Sequence, residues 1–415
     1  LHLSLRRQRQ MCIRDRNIIF LTLGRISNVT DSGIYTDLIR EFIRNGHSMY
    51  IVTPVERRYQ QSTELYDNGG AHILRVKTLN IQKTSYVEKG VGMLLLEMQY
   101  LRAINKYWRY VKFDLILYST PPITFNKVIC TLKKRWQAKT YLMLKDIFPQ
   151  NAVDLELFSK NSIVYKLFRK KEEKLYSISD CIGCTSPANI EFVRLHNPTV
   201  NPKKMDICPN CVELVDRIKG DKKQSPLLKK LNIPTDKVLF IYGGNLGRPQ
   251  GIDFLLEVLK ANEKRSDSFF IVVGSGTEYD RVKSWYDAHK PQNSCLLSYL
   301  PKEKYNDLVG LCDVGLVLLD KRFTVPNTPS RILPYMEYRL PMLMAIDTHT
   351  DIGSIALNNG FGLWTESGDI ETFMDLVEYM VEDEQRRTEM GKKGYKYLCE
   401  NYTVEKGYEA IMKNF

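Results

Sequence analysis

The sequence predicts two α/β units, each a parallel sheet covered by helices, and three observations carry that prediction. Short apolar runs alternate with amphipathic helical stretches through both halves of the 415-residue chain, the pattern of parallel sheets with helices on both faces. A polar stretch containing Pro and Lys, Asn210 to Asp236, interrupts the alternation near the middle. In the second half the strand-like run Val238–Tyr242 leads into a loop with Gly243, Gly244, Gly247 and Gly251, and a helix follows. The same strand–glycine–helix order recurs at Gly274-Ser275-Gly276. Glycines at such a turn let backbone N–H groups approach a phosphate, and the helix adds its positive N-terminal end. Two such turns point to a nucleotide-type ligand, although many strand–helix turns need glycine for geometry alone.

Taken in order, the first half reads as a strand at Asn17–Leu23, a loop at Gly24–Ser32 and an amphipathic helix at Gly33–Asn45 that ends at Gly46. A strand at Ser48–Thr53 is expected to stop at Pro54, which cannot donate to a ladder. Further strands are expected at Ala71–Val76, Asp114–Tyr118, Lys139–Leu144 and Cys181–Cys184, with helices notably at Glu88–Val111 and Ser162–Ser177. The second half repeats the alternation with strands at Val238–Tyr242, Phe269–Val273, Cys295–Ser298, Val314–Leu318, Met342–Ala345 and Gly362–Trp364. The expected organisation is a disordered or artefactual leader at 1–16, a Rossmann-like unit at 17–215 and a linker at 216–236. A second Rossmann-like unit at 237–399 and a C-terminal helix at 400–415, crossing back to the first unit, complete it. Open α/β sheets bind ligands at the carboxyl ends of their strands, so the chemistry is expected in a cleft between the two sheets.

Composition narrows the class. No apolar run reaches the length of a membrane-spanning helix. The opening LHLSLRRQRQMCIRDR lacks the apolar segment of a secretory signal and is given no function. The net charge of +12 is uneven: residues 17–217 hold 29 Lys+Arg against 19 Asp+Glu, whereas residues 218–415 hold 26 against 28. A basic first half suits nucleic acid, an anionic membrane or a polyanionic substrate, and is also what a solvated basic surface gives. Two C-x-x-C pairs, Cys181/Cys184 and Cys208/Cys211, have zinc-ribbon spacing. They fall at strand ends within an α/β pattern, where small buried cysteines pack the core. Metal is therefore not assigned, nor are disulfides. His47 and His72 read as element-end residues.

The stretches GRISNVTDSGIYTDL at 24–38, KDIFPQNAVDL at 145–155, GGNLGRPQG at 243–251, VVGSGTEYDRVK at 272–283, PSRILPYMEYRLPML at 329–343 and ENYTVEKGYEAI at 400–411 resemble the family-4 glycosyltransferases of the GT-B fold. The resemblance is to the fucosamine-transferase-like enzymes of O-antigen and colanic acid assembly. It implies two Rossmann-like domains with parallel sheets facing across a cleft, and a retaining, metal-independent transfer from a nucleotide sugar, UDP-linked by preference, with no cofactor required.

A departing nucleoside diphosphate needs fixed cations and backbone donors. Where the family carries a Gly-Arg…Lys-Gly turn, this chain has Asn245 and Gln250 in the cation slots. Arg248 and Arg331 are then the expected diphosphate clamp, with Gly244, Asn245 and Gly247, since guanidinium suits bidentate phosphate contacts; the alternative for Arg248 is a solvated loop arginine. The two glutamates the family often has near the sugar and ribose are replaced by Pro326 and Pro334. Glu337, one helical turn after Pro334, is a candidate ribose contact or else a surface glutamate. Gly274, Ser275, Gly276 and Leu300 complete the expected nucleotide side. Asp146 follows an apolar strand and is the expected catalytic carboxylate, orienting the acceptor hydroxyl or stabilising an oxocarbenium-like centre; an Asp capping the following turn is the competing reading. Gly33, Ser119, Thr120 and Pro122 are expected along the acceptor wall.

Two segments interleave apolar and basic residues. Glu88–Phe113 carries Leu94, Leu95, Leu96, Met98, Tyr100, Leu101, Tyr107, Trp108 and Tyr110 beside Arg102, Lys106, Arg109 and Lys112. Residues 163–176 carry Val164, Tyr165, Leu167 and Phe168 beside Lys166, Arg169, Lys170, Lys171 and Lys174. Each taken alone reads as a core helix with a wet basic face. Together, in the half expected to hold a polyprenyl-diphosphate-linked acceptor, they suggest peripheral attachment to the inner face of the cytoplasmic membrane. No nucleic-acid-binding motif appears. The expected activity is transfer of an N-acetylated or 6-deoxy-hexosamine to a lipid-linked or oligosaccharide acceptor. A nucleotide-sugar epimerase of the same fold, or an inactive donor-binding subunit, are the alternatives.

Overall fold

The computed structural model describes residues 15–81, 84 and 86–415. The chain divides into two compact units. The first comprises residues up to Val153, Phe158–Glu213 and Val404–Phe415; the second comprises Asp154–Leu157 and Leu214–Thr403. Residues 1–14 of the expected leader lie outside the described residues. Asp15 and Arg16 are described, and Arg16 is built into the first unit: its carbonyl accepts from the Ser48 amide at 3.0 Å, and its guanidinium donates to the Phe415 carbonyl at 2.6 Å.

The first unit holds an eight-stranded sheet. Its strands are β1 (Asn17–Leu21), β2 (Ser48–Glu56), β3 (Glu64–Asn68), β4 (Ala71–Thr78), β5 (Leu115–Ser119), β6 (Lys139–Leu144), β7 (Cys181–Cys184) and β8 (Met205–Ile207), in the order β3-β4-β2-β1-β5-β6-β7-β8. All pairings are parallel except β3 with β4. Strands β3 and β8 are absent from the sequence reading. The first is a polar edge strand with little apolar pattern, and the second is three residues long. Pro54 does not end β2. Val52 points its carbonyl toward the β1 side, where the Thr22 amide donates to it. Pro54, two residues on, faces the same way but past the end of β1, so its missing N–H costs no ladder bond.

Helices Ile34–Arg44, Tyr86–Tyr107, Asn126–Trp136 and Ile163–Ile178 flank this sheet. Helix Val404–Met412 packs on helix Ile34–Arg44. It is tied there by the Val404 amide to the Val212 carbonyl at 3.0 Å and by Tyr408 Oη to His47 Nε2 at 2.9 Å. Its Val404 and Ile411 enter the same core as Ile18, Phe20, Leu38 and Phe42.

The second unit holds six parallel strands, β9 (Val238–Asn245), β10 (Ser268–Ser275), β11 (Ser294–Leu297), β12 (Val314–Leu318), β13 (Met342–Ile346) and β14 (Gly362–Glu366), in the order β11-β10-β9-β12-β13-β14. The expected linker is part of this unit: Leu228 of helix Pro226–Lys230 is fully buried, and Lys222 pairs with Asp313 at 2.7 Å. Phe240, Phe270, Leu316 and Leu343 centre the core, which helix Ile252–Asn262 covers with Phe254, Leu255, Val258 and Leu259.

Both sheets reverse their winding direction once. In the first unit the chain winds outward from β1 to β2 and β4, then returns beside β1 with β5. In the second it winds from β9 to β10 and β11, then returns beside β9 with β12. The splayed loops at such a reversal leave a crevice beyond the strand ends, which is where ligands bind open α/β sheets.

Candidate functional site

In the second unit the reversal lies between β9 and β12, and the glycine loop sits at its mouth. Gly244 has φ +119°, a backbone setting that only glycine adopts without strain, and both it and Asn245 are exposed. Arg331, just before helix Ile332–Glu337, reaches this loop: the position a Gly244 Cβ would take is 3.9 Å from its Nη2. Its guanidinium lies over the ring of Tyr242 at 4.3 Å, and Nη2 donates to Oε1 of buried Gln250. Nη1 is buried with no hydrogen-bond partner. Buried guanidinium donors without partners are rare.

Tyrosines build the rest of this seat. The Tyr242 hydroxyl donates to the Asn245 carbonyl at 2.9 Å. Tyr335 accepts from the Gly243 amide at 3.3 Å and donates to the Ile241 carbonyl at 3.1 Å. Tyr305, from helix Lys302–Val309, lies so close over Gly243 that any Cβ there would fall 2.1 Å from its hydroxyl. Burial pushes the Tyr335 phenol up to about 12 and Tyr242 upward, so both remain neutral hydroxyls at pH 7.

The other expected donor-side residues fall differently. Arg248 does not join Arg331. Its side chain is 59% exposed and leans toward Glu278 at 3.7 Å, the solvated alternative. Glu337 is not a surface glutamate: it is buried and pairs with Arg217 at 3.7 Å. Residues two apart on a helix point about 200° apart, so with Tyr335 turned toward β9, Glu337 turns away from the loop. The second glycine turn is taken up by packing on the first. A Cβ at Gly274 would lie 1.8 Å from the Gly244 carbonyl oxygen, and one at Gly276 2.2 Å from that of Leu246. The Ser275 carbonyl accepts from the Leu246 amide at 2.9 Å. Gly247 is buried, and Leu300 is half-buried three residues beyond the end of β11.

In the first unit the reversal lies between β1 and β5. Ser119 ends β5, Thr120 follows it, and Asp146 follows the neighbouring strand β6. Thr120 Oγ accepts from the amides of Lys145 at 3.0 Å and Asp146 at 3.2 Å, so it holds the turn that presents the carboxylate rather than facing a ligand. Burial pushes the Asp146 carboxyl above its usual range. Tyr35, in the first turn of helix Ile34–Arg44, is close to both Ser119 and Asp146, and the Ser119 hydroxyl is buried. The Gly33 amide donates to Asp37 Oδ1 at 2.8 Å, which caps the helix. Pro122 is buried while Pro121 is exposed, so of the two it is Pro121 that is open to solvent.

Sequence reasoning missed Tyr35, Tyr242, Tyr305 and Tyr335. A tyrosine at the end of an aliphatic strand, as in Leu239-Phe240-Ile241-Tyr242, was the one available signal. Among the described residues no group of three or more His, Cys, Asp or Glu is arranged to hold a metal ion. Cys184, Cys208 and Cys211 are buried, and burial pushes the thiols of Cys184 and Cys211 up to about 12.

With this geometry in view, the chain can be set beside known proteins. Residues 223–397, most of the second unit, match the family of glycosyl transferases group 1. A probable glycosyltransferase of Pseudomonas aeruginosa, WbjE, is 26% identical over 300 residues, covering 70% of this chain and 72% of its own. Sucrose-phosphate synthase from Thermosynechococcus elongatus superposes with a TM-score of 0.74 at 14% identity, over 94% of this chain and 96% of its own. Anabaena Alr3699/HepE, solved with UDP and glucose, superposes with a TM-score of 0.66 at 14% identity, over 96% and 98%. The fold is GT-B.

Proposed function

We propose that the protein is a retaining glycosyltransferase that moves a sugar from a UDP-sugar to a polyprenyl-diphosphate-linked acceptor in bacterial surface polysaccharide synthesis. The observation that carries this reading is the Arg331 seat. A half-buried arginine with a buried, unpartnered Nη1 stands beside a glycine that leaves the backbone open, at the winding reversal of the unit that matches glycosyl transferases group 1. Such a donor suits a diphosphate oxygen. In transfer, the bond between the anomeric carbon and the donor phosphate breaks, and its electron pair leaves on UDP. The acceptor hydroxyl oxygen bonds to the same carbon, and its proton passes to the departing phosphate. Arg331 stabilises the charge that develops on the leaving group, and Asp146, with Tyr35 and Ser119, orients the acceptor hydroxyl. UDP in the Anabaena relative supports the choice of nucleotide. The sugar is an N-acetylated or 6-deoxy-hexosamine, and neither a metal nor a cofactor takes part.

Attachment to the anionic inner face of the cytoplasmic membrane belongs to the same proposal. Helix Tyr86–Tyr107 buries Leu96, Tyr100 and Ile104 yet leaves Val91, Leu94 and Met98 exposed. Helix Ile163–Ile178 buries Leu175 and Tyr176 yet exposes Ile163, Val164 and Leu167 beside exposed Lys166, Lys170 and Lys174. A core helix has no need of that second apolar set. Among the described residues no helix is long and apolar enough to cross a membrane.

Incubation with a panel of nucleotide sugars and polyprenyl-diphosphate sugars tests the whole reading. Transfer of one sugar with retention at the anomeric carbon is expected. Interconversion of the sugar alone would make the protein an epimerase, and tight donor binding without turnover an inactive subunit.

A further inference from the structure

Four buried or packed groups converge on one guanidinium, and only two of them bond or stack with it directly. Gln250 holds Nη2 through its amide oxygen, and the Tyr242 ring supports the guanidinium plane at 4.3 Å. Tyr335 and Tyr305 pack against Gly243 and fix the strand end below. An unrestrained arginine side chain samples many rotamers, which binding would otherwise have to freeze. Here that freedom has been removed before any ligand arrives, and Nη1 is the group left unpartnered. We infer that Gln250 and Tyr242 are positioning residues that hold Arg331 Nη1 at a nucleoside-diphosphate seat, the neutral Gln250 being what lets this one cation stand there.

The chemistry at position 250 explains why the residue is an amide. A lysine in this slot would place a second positive charge against the Arg331 guanidinium and leave no acceptor for Nη2. A glutamate would accept from Nη2 but cancel the charge the diphosphate needs. Glutamine accepts the hydrogen bond and leaves the charge intact. Tyr242 serves both partners, since its ring lies under the guanidinium while its hydroxyl fixes the Asn245 carbonyl of the loop at 2.9 Å. The cation that the glycine loop itself lacks is thus supplied by Arg331, and its orientation is supplied by the loop.

This rests on the reading of Arg331 as the diphosphate contact, so the test separates the two. UDP is the probe, titrated by calorimetry into the intact chain, with a melting curve for each variant. Gln250→Leu is expected to weaken UDP at least fivefold. Gln250→Asn keeps an amide but is one methylene too short, which guards against a packing failure in the leucine variant, and it is expected to weaken UDP likewise. Gln250→Glu is expected to weaken it at least tenfold. In the Arg331→Ala background, Gln250→Leu is expected to change UDP affinity by less than twofold, because a residue that acts through Arg331 has nothing left to position. An equal loss in both backgrounds would show a role in the loop alone and overturn the inference. If Arg331→Ala weakens UDP while all three Gln250 variants bind normally, positioning is refuted and the diphosphate reading stands. If Arg331→Ala binds UDP normally, the diphosphate reading fails and takes this inference with it.

Discussion

A carboxyl held out of water costs stability when charged, and half-buried Asp146, proposed to orient the acceptor, is such a group. Burial raises its pKa above the unfolded value. The stability tied to its proton is therefore complete below the unfolded pKa and is lost as pH rises through the raised folded pKa. Asp146→Asn removes the charge without changing the shape. Its melting temperature is expected to equal or exceed that of the native chain at pH 7, and the gap to widen as pH rises from the unfolded value of about 4. Sugar transfer is expected to fall by about 10²–10⁴-fold. A lower melting temperature at pH 7 would mean that the carboxylate is there to cap its turn. The two arginines should likewise separate: Arg331→Ala is expected to weaken UDP about 10–100-fold, the range of a charge-assisted hydrogen bond, and exposed Arg248→Ala by less than about twofold, both read by calorimetry. At this scale the sequence showed which residues are chemically able but not which are aimed. The spacing of Arg248 within the glycine loop favoured it, and only the fold shows it leaning toward Glu278. Glu337 lies on a helix whose loop-facing side is set by Tyr335, a distinction that six residues of sequence do not carry.

Secondary elements were more legible than side chains. β6, β7 and β12 match their expected bounds, because continuous apolar runs closed by polar residues have few other solutions. The two glycine turns looked alike for the same reason and differ only in three dimensions. Gly274 and Gly276 are glycines because the ends of β9 and β10 approach to backbone contact. Gly274→Ala is accordingly expected to destabilise the fold by about 2–4 kcal/mol in urea unfolding, as overpacking against rigid backbone does, whereas a phosphate-contacting glycine would lose UDP affinity with stability unchanged. The helix Val404–Met412 makes a second element-level prediction. Burial holds His47 below its usual pKa, aided by nearby Arg16 and opposed by Asp15, while its Nε2 meets Tyr408. A depressed pKa means stability that is present above the unfolded value of about 6.5 and is lost as pH falls through the folded one. The protection factors of amides in residues 404–412, referred to the intrinsic exchange rate at each pH, are expected to fall as pH drops below the unfolded value of about 6.5, and His47→Gln to flatten that dependence.

Over the whole molecule, the two-unit α/β organisation could be read from the sequence because alternation and the charge step near residue 217 are properties of long stretches. The exact boundaries could not, since residues 154–157 belong to the second unit although both flanking stretches belong to the first, and 404–415 belong to the first although they follow the second. The membrane reading belongs at this scale, because it needs apolar exposure and basic charge together. Ile163 is 77% exposed, Leu94 66% and Leu167 59%. Replacing Leu94, Ile163 and Leu167 together with Ser should leave the melting temperature within about 2 °C, as expected for surface positions. Co-sedimentation with vesicles containing anionic lipid should fall by about tenfold or more, since each buried aliphatic side chain contributes about 1.5–3 kcal/mol. Unchanged vesicle binding would remove the membrane from the proposal.

The packing of Val404–Met412 against Ile34–Arg44 also sets a timetable for synthesis. Every residue of the second unit has been translated before this helix leaves the ribosome, while the first unit, begun earlier, still lacks the layer that covers Leu38 and Phe42. The unit that starts first is the last to close. Until residues 404–415 are released, the nascent chain presents an open apolar flank to chaperones, and a premature stop before them would leave the later-made unit whole and the earlier one unfinished.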